Sequence, residues 1–386
     1  MMATKINLKP PQFINQQPDF EKLLIDLQRE KILAVDTEAN SLYAYQEQVC
    51  LIQLSTLNKD YILDPLALED LSPLGKIFSD PGIEKVFHAS EYDILIMYDE
   101  YHYKFRNLFD TMLAAQILGR EKLGLDSLLE EMFGIKVNKK YQRANWGKRP
   151  LADDMLLYAQ MDTHYLIRIR HNLASELEKK GFGPIASEDF SRACHIHRQP
   201  REEKIASHWR INGARKLTPQ KAAVLIKLCN YRDKVARKIN QPVFKVLSSQ
   251  TLLNLAEQCP TSTQQLIKLD LPGKNVLKRH ADGLVKAIQS GLASDPVRPP
   301  QRNHSDEATI NREKTLRDWR KRTARKMNVN SAVILPRELL YAVISANPKT
   351  REELSLVLED VPWRLERFGD EILSILTKVN KSRSAE

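Results

Sequence analysis

Four acids and one phenol define the chemistry open to this chain. Asp36 and Glu38 lie two apart in Val35-Asp36-Thr37-Glu38, Asp93 closes His88-Ala89-Ser90-Glu91-Tyr92-Asp93, and Asp162 ends Tyr158-Ala159-Gln160-Met161-Asp162. Side chains two apart on a strand share a face, and side chains four apart on a helix share a face. Each of the three segments can therefore present its acid or acids to one place. Four carboxylates gathered there require cations, and acids without thiol or imidazole partners suit hard, oxygen-preferring ions such as Mg2+ or Mn2+. The chemistry predicted is two-metal hydrolysis of a phosphodiester. Taken singly, each segment also has a plain structural reading: an Asp-Thr-Glu at a strand end, an acid favoured by a helix dipole, a tyrosine whose hydroxyl satisfies a neighbour.

The elements that must hold these residues follow from apolar periodicity. Residues 32–37, 49–55 and 61–63 read as short strands of one sheet, and Lys85-Val86-Phe87-His88 as a fourth run after the Asp80-Pro81-Gly82 turn. A helix is expected from Ser90 to Tyr98, and helical spacing recurs over 110–118, 125–133 and 153–178. Gln53, inside an apolar strand, is read as a hydrogen-bonded buried amide, and His88 as a packed residue, since hard ions prefer oxygen. The expected fold over 1–190 is an α/β domain with a mixed sheet flanked by helices. Gly181-Phe182-Gly183-Pro184 and the mixed polar sequence to 205 read as a connector, with 191–210 assigned between the domains.

Beyond the connector the pattern is all-helical and repeats itself. At an offset of 88 and with no gap, 232–288 aligns with 320–376: Arg232, Ala236, Arg237, Lys238 and Asn240 recur as Arg320, Ala324, Arg325, Lys326 and Asn328. Leu252, Pro260, Leu266, Leu277 and Asp282 recur as Leu340, Pro348, Leu354, Leu365 and Asp370. Two helical domains are expected at 211–292 and 311–380, joined by a flexible linker over 293–310, whose Asp-Pro and Arg-Pro-Pro lack apolar periodicity. The last residues, from Ser382, are expected to fray.

Composition sets the context. A chain of 386 residues that is 42% apolar is long enough for two or three cores. Cys50, Cys194, Cys229 and Cys259 form no Cys-x-x-Cys pair, which argues against zinc or a disulfide framework and for reduced thiols in the cytoplasm. Neither a signal peptide nor a membrane span is expected. The net charge of +10 is split: residues 1–190 carry −7 and residues 191–386 carry +17. An acid-rich half that wants metal beside a basic half points to a polyanion held by its backbone. The cations Arg232, Lys234, Arg237, Lys238, Arg320, Lys321, Arg322, Arg325 and Lys326 recur at helical spacing and could follow phosphates.

The order acid-x-acid, acid, tyrosine-x-x-x-acid resembles the DEDD superfamily of 3′–5′ exonucleases in its tyrosine subgroup, with a ribonuclease H-like fold, and the whole chain is similar to ribonuclease D. Tyr141-Gln142-Arg143-Ala144-Asn145-Trp146 and Arg149-Pro150-Leu151 also resemble the stretch before the third motif in that family, and the repeats resemble nucleic-acid-binding HRDC domains. The second copy departs where Asp360-Val361 answers Pro272-Gly273. The resemblance implies that Asp36, Glu38, Asp93 and Asp162 hold two divalent ions, Mg2+ or Mn2+, and that Tyr158 orients the attacking water. It implies release of nucleoside 5′-monophosphates from RNA with a free 3′ end, tRNA precursors being the substrate suggested. A monomer in the cytoplasm is expected, since three lobes need no partner to complete the site. Leu42 sits where proofreading exonucleases place a leucine wedge, or is a core leucine. Gln142, Arg143 and Trp146 are candidates for phosphate contact and base stacking, or for structure. A DNA 3′–5′ exonuclease shares the same acids, and a silent nucleic-acid-binding scaffold would keep the same fold.

Overall fold

A computed structural model describes residues 8–195, 207–300 and 306–382. Met1–Glu38, Val49–His197 and His304–Glu386 form one compact unit, and Ala39–Gln48 with Arg198–Asn303 form the other. In chain order the first unit begins β1 (Gln12–Ile14), α1 (Gln17–Leu27), β2 (Ile32–Ala39), β3 (Val49–Ser55), β4 (Asp60–Leu63), α2 (Leu74–Ser79), β5 (Glu84–Phe87) and α3 (Glu91–Tyr101). It continues with β6 (Leu108–Asp110), α4 (Thr111–Ile117), α5 (Leu125–Phe133), α6 (Asp153–His164), α7 (Leu166–Lys179) and α8 (Gly183–Ala193). The strands make a mixed sheet in the order β1-β4-β3-β2-β5-β6. β3 runs antiparallel to β4, while β1–β4, β2–β5 and β5–β6 are parallel pairs. The expected mixed sheet flanked by helices is therefore what the chain forms.

Every residue of β3 is buried, as befits a central strand covered on both faces. α6, which carries Tyr158 and Asp162, packs along β3 and β4, and one acid pins it there. The Asp60 carboxylate accepts from Ser55 Oγ (2.7 Å) and Gln160 Nε2 (2.6 Å) and pairs with His164 Nδ1 (2.7 Å). Burial alone would raise the Asp60 pKa, but the bonds from His164, Ser55 and Gln160 outweigh it and hold the group below its usual range.

Three expectations need correction. The helical run 153–178 is two helices, α6 and α7, parted at Tyr165. The stretch expected to open a connector at 181 instead forms α8, whose Ile185 and Ala186 are buried in the domain core; residues 196–205 lie outside the described residues. Gln53 is wholly buried, but neither side-chain polar atom has a hydrogen-bond partner among the described residues.

The repeats are α9 (Pro219–Lys238), α10 (Val243–Val246), α11 (Ser249–Gln258), α12 (Thr263–Lys268) and α13 (Lys274–Leu292), then α14 (Glu307–Met327), α15 (Ser331–Ile334), α16 (Arg337–Ala346), α17 (Arg351–Val357) and α18 (Pro362–Ser382). Each helix of the second set starts 88 residues after its counterpart. Even the left-handed residues recur, Asn240 (φ 46°) as Asn328 (φ 54°) and Cys259 (φ 48°) as Asn347 (φ 47°). Arg232 and Arg320 recur with a structural role. Each guanidinium donates across its own repeat, Arg232 to the Leu247 carbonyl (3.1 Å) and Arg320 to the Leu335 carbonyl (2.8 Å).

The expected flexible linker is partly pinned. Gln220 Nε2 donates to the carbonyls of Gly291, Leu292 and Ser294, and the Val297 amide donates to the Pro219 carbonyl. Residues 301–305 lie outside the described residues, and α14 begins at Glu307, inside the stretch assigned to the linker. Within the first unit the second repeat is locked to α8 by Arg364, which is 0% exposed and reaches Glu188 and Asp189, each at 2.8 Å. Its counterpart at the same offset is Val276, so this lock belongs to the second repeat alone.

Candidate active site

β2 supplies Asp36 and Glu38, and Thr37 between them is buried. The Thr37 hydroxyl donates a short bond to Asp93 Oδ1, which ties β2 to the first turn of α3. α6 brings Asp162 one turn beyond Tyr158. The three segments meet electrostatically. Burial, then the charges of Asp93, Asp162 and Glu38, hold the Asp36 carboxyl well above the usual carboxylate range. Burial with the charges of Asp162 and Asp93 pushes Glu38 up to about 9. Burial and Asp93 push Asp162 up to about 7, and burial pushes Asp93 to about 7 against the opposing bond from Thr37.

Among the described residues none of the four carboxylates has a Lys, Arg or His ion-pair partner, although the chain carries 59 Lys and Arg. An uncompensated cluster of this kind suits added cations. Among the described residues no three His, Cys, Asp or Glu side chains form a ready-made cage for one ion. The donor set, all carboxylate oxygen, matches hard ions.

The Tyr158 hydroxyl has no hydrogen-bond partner among the described residues. Burial and the charges of Asp162, Glu38 and Asp36 raise its pKa, so it stays a phenol at neutral pH. It can donate to a water or a phosphate; it is a poor base. Its ring rests on Tyr141 (centroids 6.0 Å, edge-on) and Trp146 (6.1 Å, tilted). Trp146 is 1% exposed, so the structure places it behind Tyr158 rather than open to a stacking base. Gln142 and Arg143 are exposed on the same loop, and Leu42 is 40% exposed in Ala39–Gln48, a segment of the other unit.

A model of the 3′–5′ exonuclease family matches residues 11–178, and the HRDC domain model matches 221–288 and 311–376. "Exosome complex exonuclease RRP6" of Saccharomyces cerevisiae is 31% identical over 314 residues, covering 78% of this chain and 42% of that protein. The catalytic core of RRP6 from Trypanosoma brucei superposes with a TM-score of 0.66 at 26% identity, over 75% of this chain and 82% of that one. Escherichia coli RNase D, an exoribonuclease involved in structured RNA processing, shares the fold over 96% of this chain and 99% of its own, with a TM-score of 0.70 at 23% identity. The chain joins a 3′–5′ exonuclease domain, similar in fold to that of ribonuclease D, to two HRDC domains. It spans half or less of the length of the curated relatives it matches.

Two positions outside the four acids and the tyrosine also serve this site. Asp110 accepts from the amides of Ala89 (3.1 Å) and Ser90 (2.7 Å), and also caps α4 through Met112 and Leu113. It clamps the turn at Ala89 (φ 62°), from which α3 delivers Asp93. Arg149 grips Asp64 with two nitrogens at 2.6 Å and donates to the carbonyls of Cys50 and Trp146, fixing the loop that backs Tyr158. An acid after Phe109 carries no periodic or spacing signal that would have marked it, and Arg149 was marked only by the resemblance of Arg149-Pro150-Leu151, not by what it bonds. His88 bonds the Thr111 hydroxyl (2.9 Å), and burial lowers its pKa, so it is a packed neutral imidazole.

Proposed function

We propose that the chain is a 3′–5′ exoribonuclease that releases nucleoside 5′-monophosphates from RNA with a free 3′ end. The observation that carries this reading is the set of four mutually destabilised carboxylates from β2, α3 and α6, with no cation partner among the described residues, beside a phenol hydroxyl that is likewise unpartnered. Asp36, Glu38, Asp93 and Asp162 would hold two divalent ions, Mg2+ or Mn2+. Those ions supply charge neutralisation at the scissile phosphate and lower the pKa of the attacking water. Thr37 fixes the orientation of Asp93, Asp110 fixes the turn that delivers it, and Asp60 fixes the register of α6. Tyr158 donates a hydrogen bond that orients the nucleophile, backed by Trp146 so that its ring cannot swing away.

Substrates with a structured body and a single-stranded 3′ tail suit both a nuclease domain and two basic helical repeats. A tRNA precursor is one such substrate, and the relatives named as exosome components favour RNAs handled by such a complex as another. Gln142 and Arg143, exposed next to Tyr141, would contact phosphate in this reading. The test is a 3′-tailed RNA hairpin incubated with Mn2+. Mononucleotides should accumulate from the 3′ end, and Asp36→Ala should abolish them. Release that survives Asp36→Ala would place the centre elsewhere, and faster decay of the matching DNA would make the chain a DNA exonuclease.

A further inference from the structure

The connection between β2 and β3, Ala39–Gln48, leaves the catalytic strand directly after Glu38 and belongs to the same compact unit as the first repeat. Asn40 closes its base. The Asn40 amide donates to the Gln48 carbonyl (3.3 Å), the Gln48 amide donates to Asn40 Oδ1 (2.9 Å), and the Asn40 carbonyl accepts from the Tyr43 and Ala44 amides. The rest of the loop is held by α9 and α10. The Tyr45 amide donates to Asn240 Oδ1 (3.1 Å), while its hydroxyl donates to Asp233 Oδ1 (2.7 Å) and accepts from Arg237 Nη2 (3.3 Å). The Tyr45 ring packs on the core of the repeat, and the Lys245 ammonium lies 4.0 Å from the centre of the Tyr43 ring. Where the loop ends and β3 begins, the Val49 amide donates to Glu100 Oε2 (2.7 Å) on α3, the helix that carries Asp93.

The matching corner of the second repeat is built for a different neighbour. At the offset of 88, Lys321 answers Asp233, Asn328 answers Asn240 and Val333 answers Lys245. A lysine ammonium cannot accept from a tyrosine hydroxyl, and valine brings no charge to an aromatic face. Val333 is instead buried in the nuclease core with Ala114, Ile117 and Ile185. The Asn328 carbonyl lies 2.8 Å from where a Cβ on Gly119 would stand, and Gly119, at φ 80°, admits it. Each repeat therefore uses this corner against protein, but Asp233 and Lys245 suit the first to the loop that continues from Glu38.

We propose that Tyr45 is a positioning residue for the nuclease centre: by fastening Ala39–Gln48 to Asp233, Arg237 and Asn240 of the first repeat, it fixes the backbone from which Glu38 projects. The step from Glu38 to nucleotide release rests on the exoribonuclease reading; the fastening and its effect on Glu38 do not. A strand end that runs into a released loop samples more backbone conformations, and a displacement of about 1 Å in a reacting group can cost about 100-fold in rate. A hydrogen bond of this kind contributes about 3- to 10-fold to the docked state, so losing the Tyr45 hydroxyl should release the loop by about that factor.

The experiment compares Tyr45→Phe, Asp233→Lys and Asp233→Asn in the full chain. Tyr45→Phe keeps the ring and removes the hydroxyl, Asp233→Lys sets the second repeat's residue at the corner, and Asp233→Asn keeps an oxygen that accepts from Tyr45. Circular dichroism melts verify that all three are folded. Hydrogen exchange at the Asn40, Tyr45 and Gln48 amides should accelerate about 3- to 10-fold in the first two variants and stay within about twofold of wild type in the third. Mn2+ binding, followed by electron paramagnetic resonance without nucleic acid, should weaken at least about threefold in the same two variants and not in Asp233→Asn. Mononucleotide release from a trinucleotide should fall in kcat in step with it. Faster exchange with unchanged Mn2+ affinity would make the contact a tether and overturn the proposal, and so would unchanged exchange. If wild type binds Mn2+ yet releases no nucleotide, the nuclease reading fails while exchange and Mn2+ affinity still decide the role of Tyr45; a wild type that binds no Mn2+ overturns both.

Discussion

Asp93→Asn should make the metal-free protein more stable while leaving it inactive. Asparagine keeps an oxygen to accept the Thr37 hydroxyl and removes only the charge. The sign follows from the direction of the shift. The folded-state pKa of Asp93 is about 7, above its ordinary 3.8, so ionisation disfavours the fold. The contribution is favourable below pH 4 and is lost as pH rises towards 7. A shift of that size, at about 1.4 kcal/mol per unit, amounts to roughly 4 kcal/mol once the group is fully ionised, and rearrangement of its neighbours would bring the measured figure to about 2–4 kcal/mol. Urea unfolding in EDTA should therefore show the variant within about 1 kcal/mol of wild type at pH 4 and about 2–4 kcal/mol more stable at pH 8. Added Mn2+ should stabilise wild type at pH 8 in a concentration-dependent way and the variant far less. A variant that is less stable than wild type at pH 8 in EDTA, or a gain that does not change with pH, would refute the claim that these carboxylates are held together against their own repulsion.

Three further outcomes follow from the same geometry. Tyr158→Phe should lower kcat by about 10- to 100-fold with little change in KM, because an orienting bond is lost and the ring packing on Trp146 is kept. Asp60→Asn should cost about 2 kcal/mol near pH 7; because the folded-state pKa lies below the ordinary value, the wild-type advantage should shrink as pH falls below about 4, readable in paired denaturation curves. Arg364→Ala should cost about 3–5 kcal/mol by leaving Glu188 and Asp189 buried without their cation, and should expose the α8–α18 contact to limited proteolysis, with mononucleotide release from a trinucleotide retained.

The strands around the site were legible because β2, β3 and β4 are runs of branched and aromatic residues bounded by polar turns. β1 and β6 were not, being three residues each, too short to show alternation. α1 opens on Gln17-Pro18 without a side-chain cap, and its start carried no signal beyond that proline. The break at Tyr165 was invisible for the opposite reason, since neither glycine nor proline marks it. The repeat register was fully readable, because two copies of one sequence report each other, but what their matched residues do was not. Arg232 and Arg320 match because both brace a turn, through the Leu247 and Leu335 carbonyls. The four acids could be found from order and spacing, whereas Asp110 and Arg149 act through bonds to groups distant in sequence, the Ala89 and Ser90 amides and the Asp64 carboxylate. Trp146 was recognisable as belonging to the site, and only packing shows on which side of Tyr158 it lies.

The central claim is that Asp36, Glu38, Asp93 and Asp162 together hold the ions of a nuclease centre, and anomalous diffraction from crystals soaked with Mn2+ and a short RNA tests it most directly. Two peaks are predicted, each bonded to carboxylate oxygens of this set and to the terminal phosphate, with the Tyr158 hydroxyl facing the water between them. Peaks elsewhere, or none beside Asp36 in crystals whose RNA is bound, would contradict it.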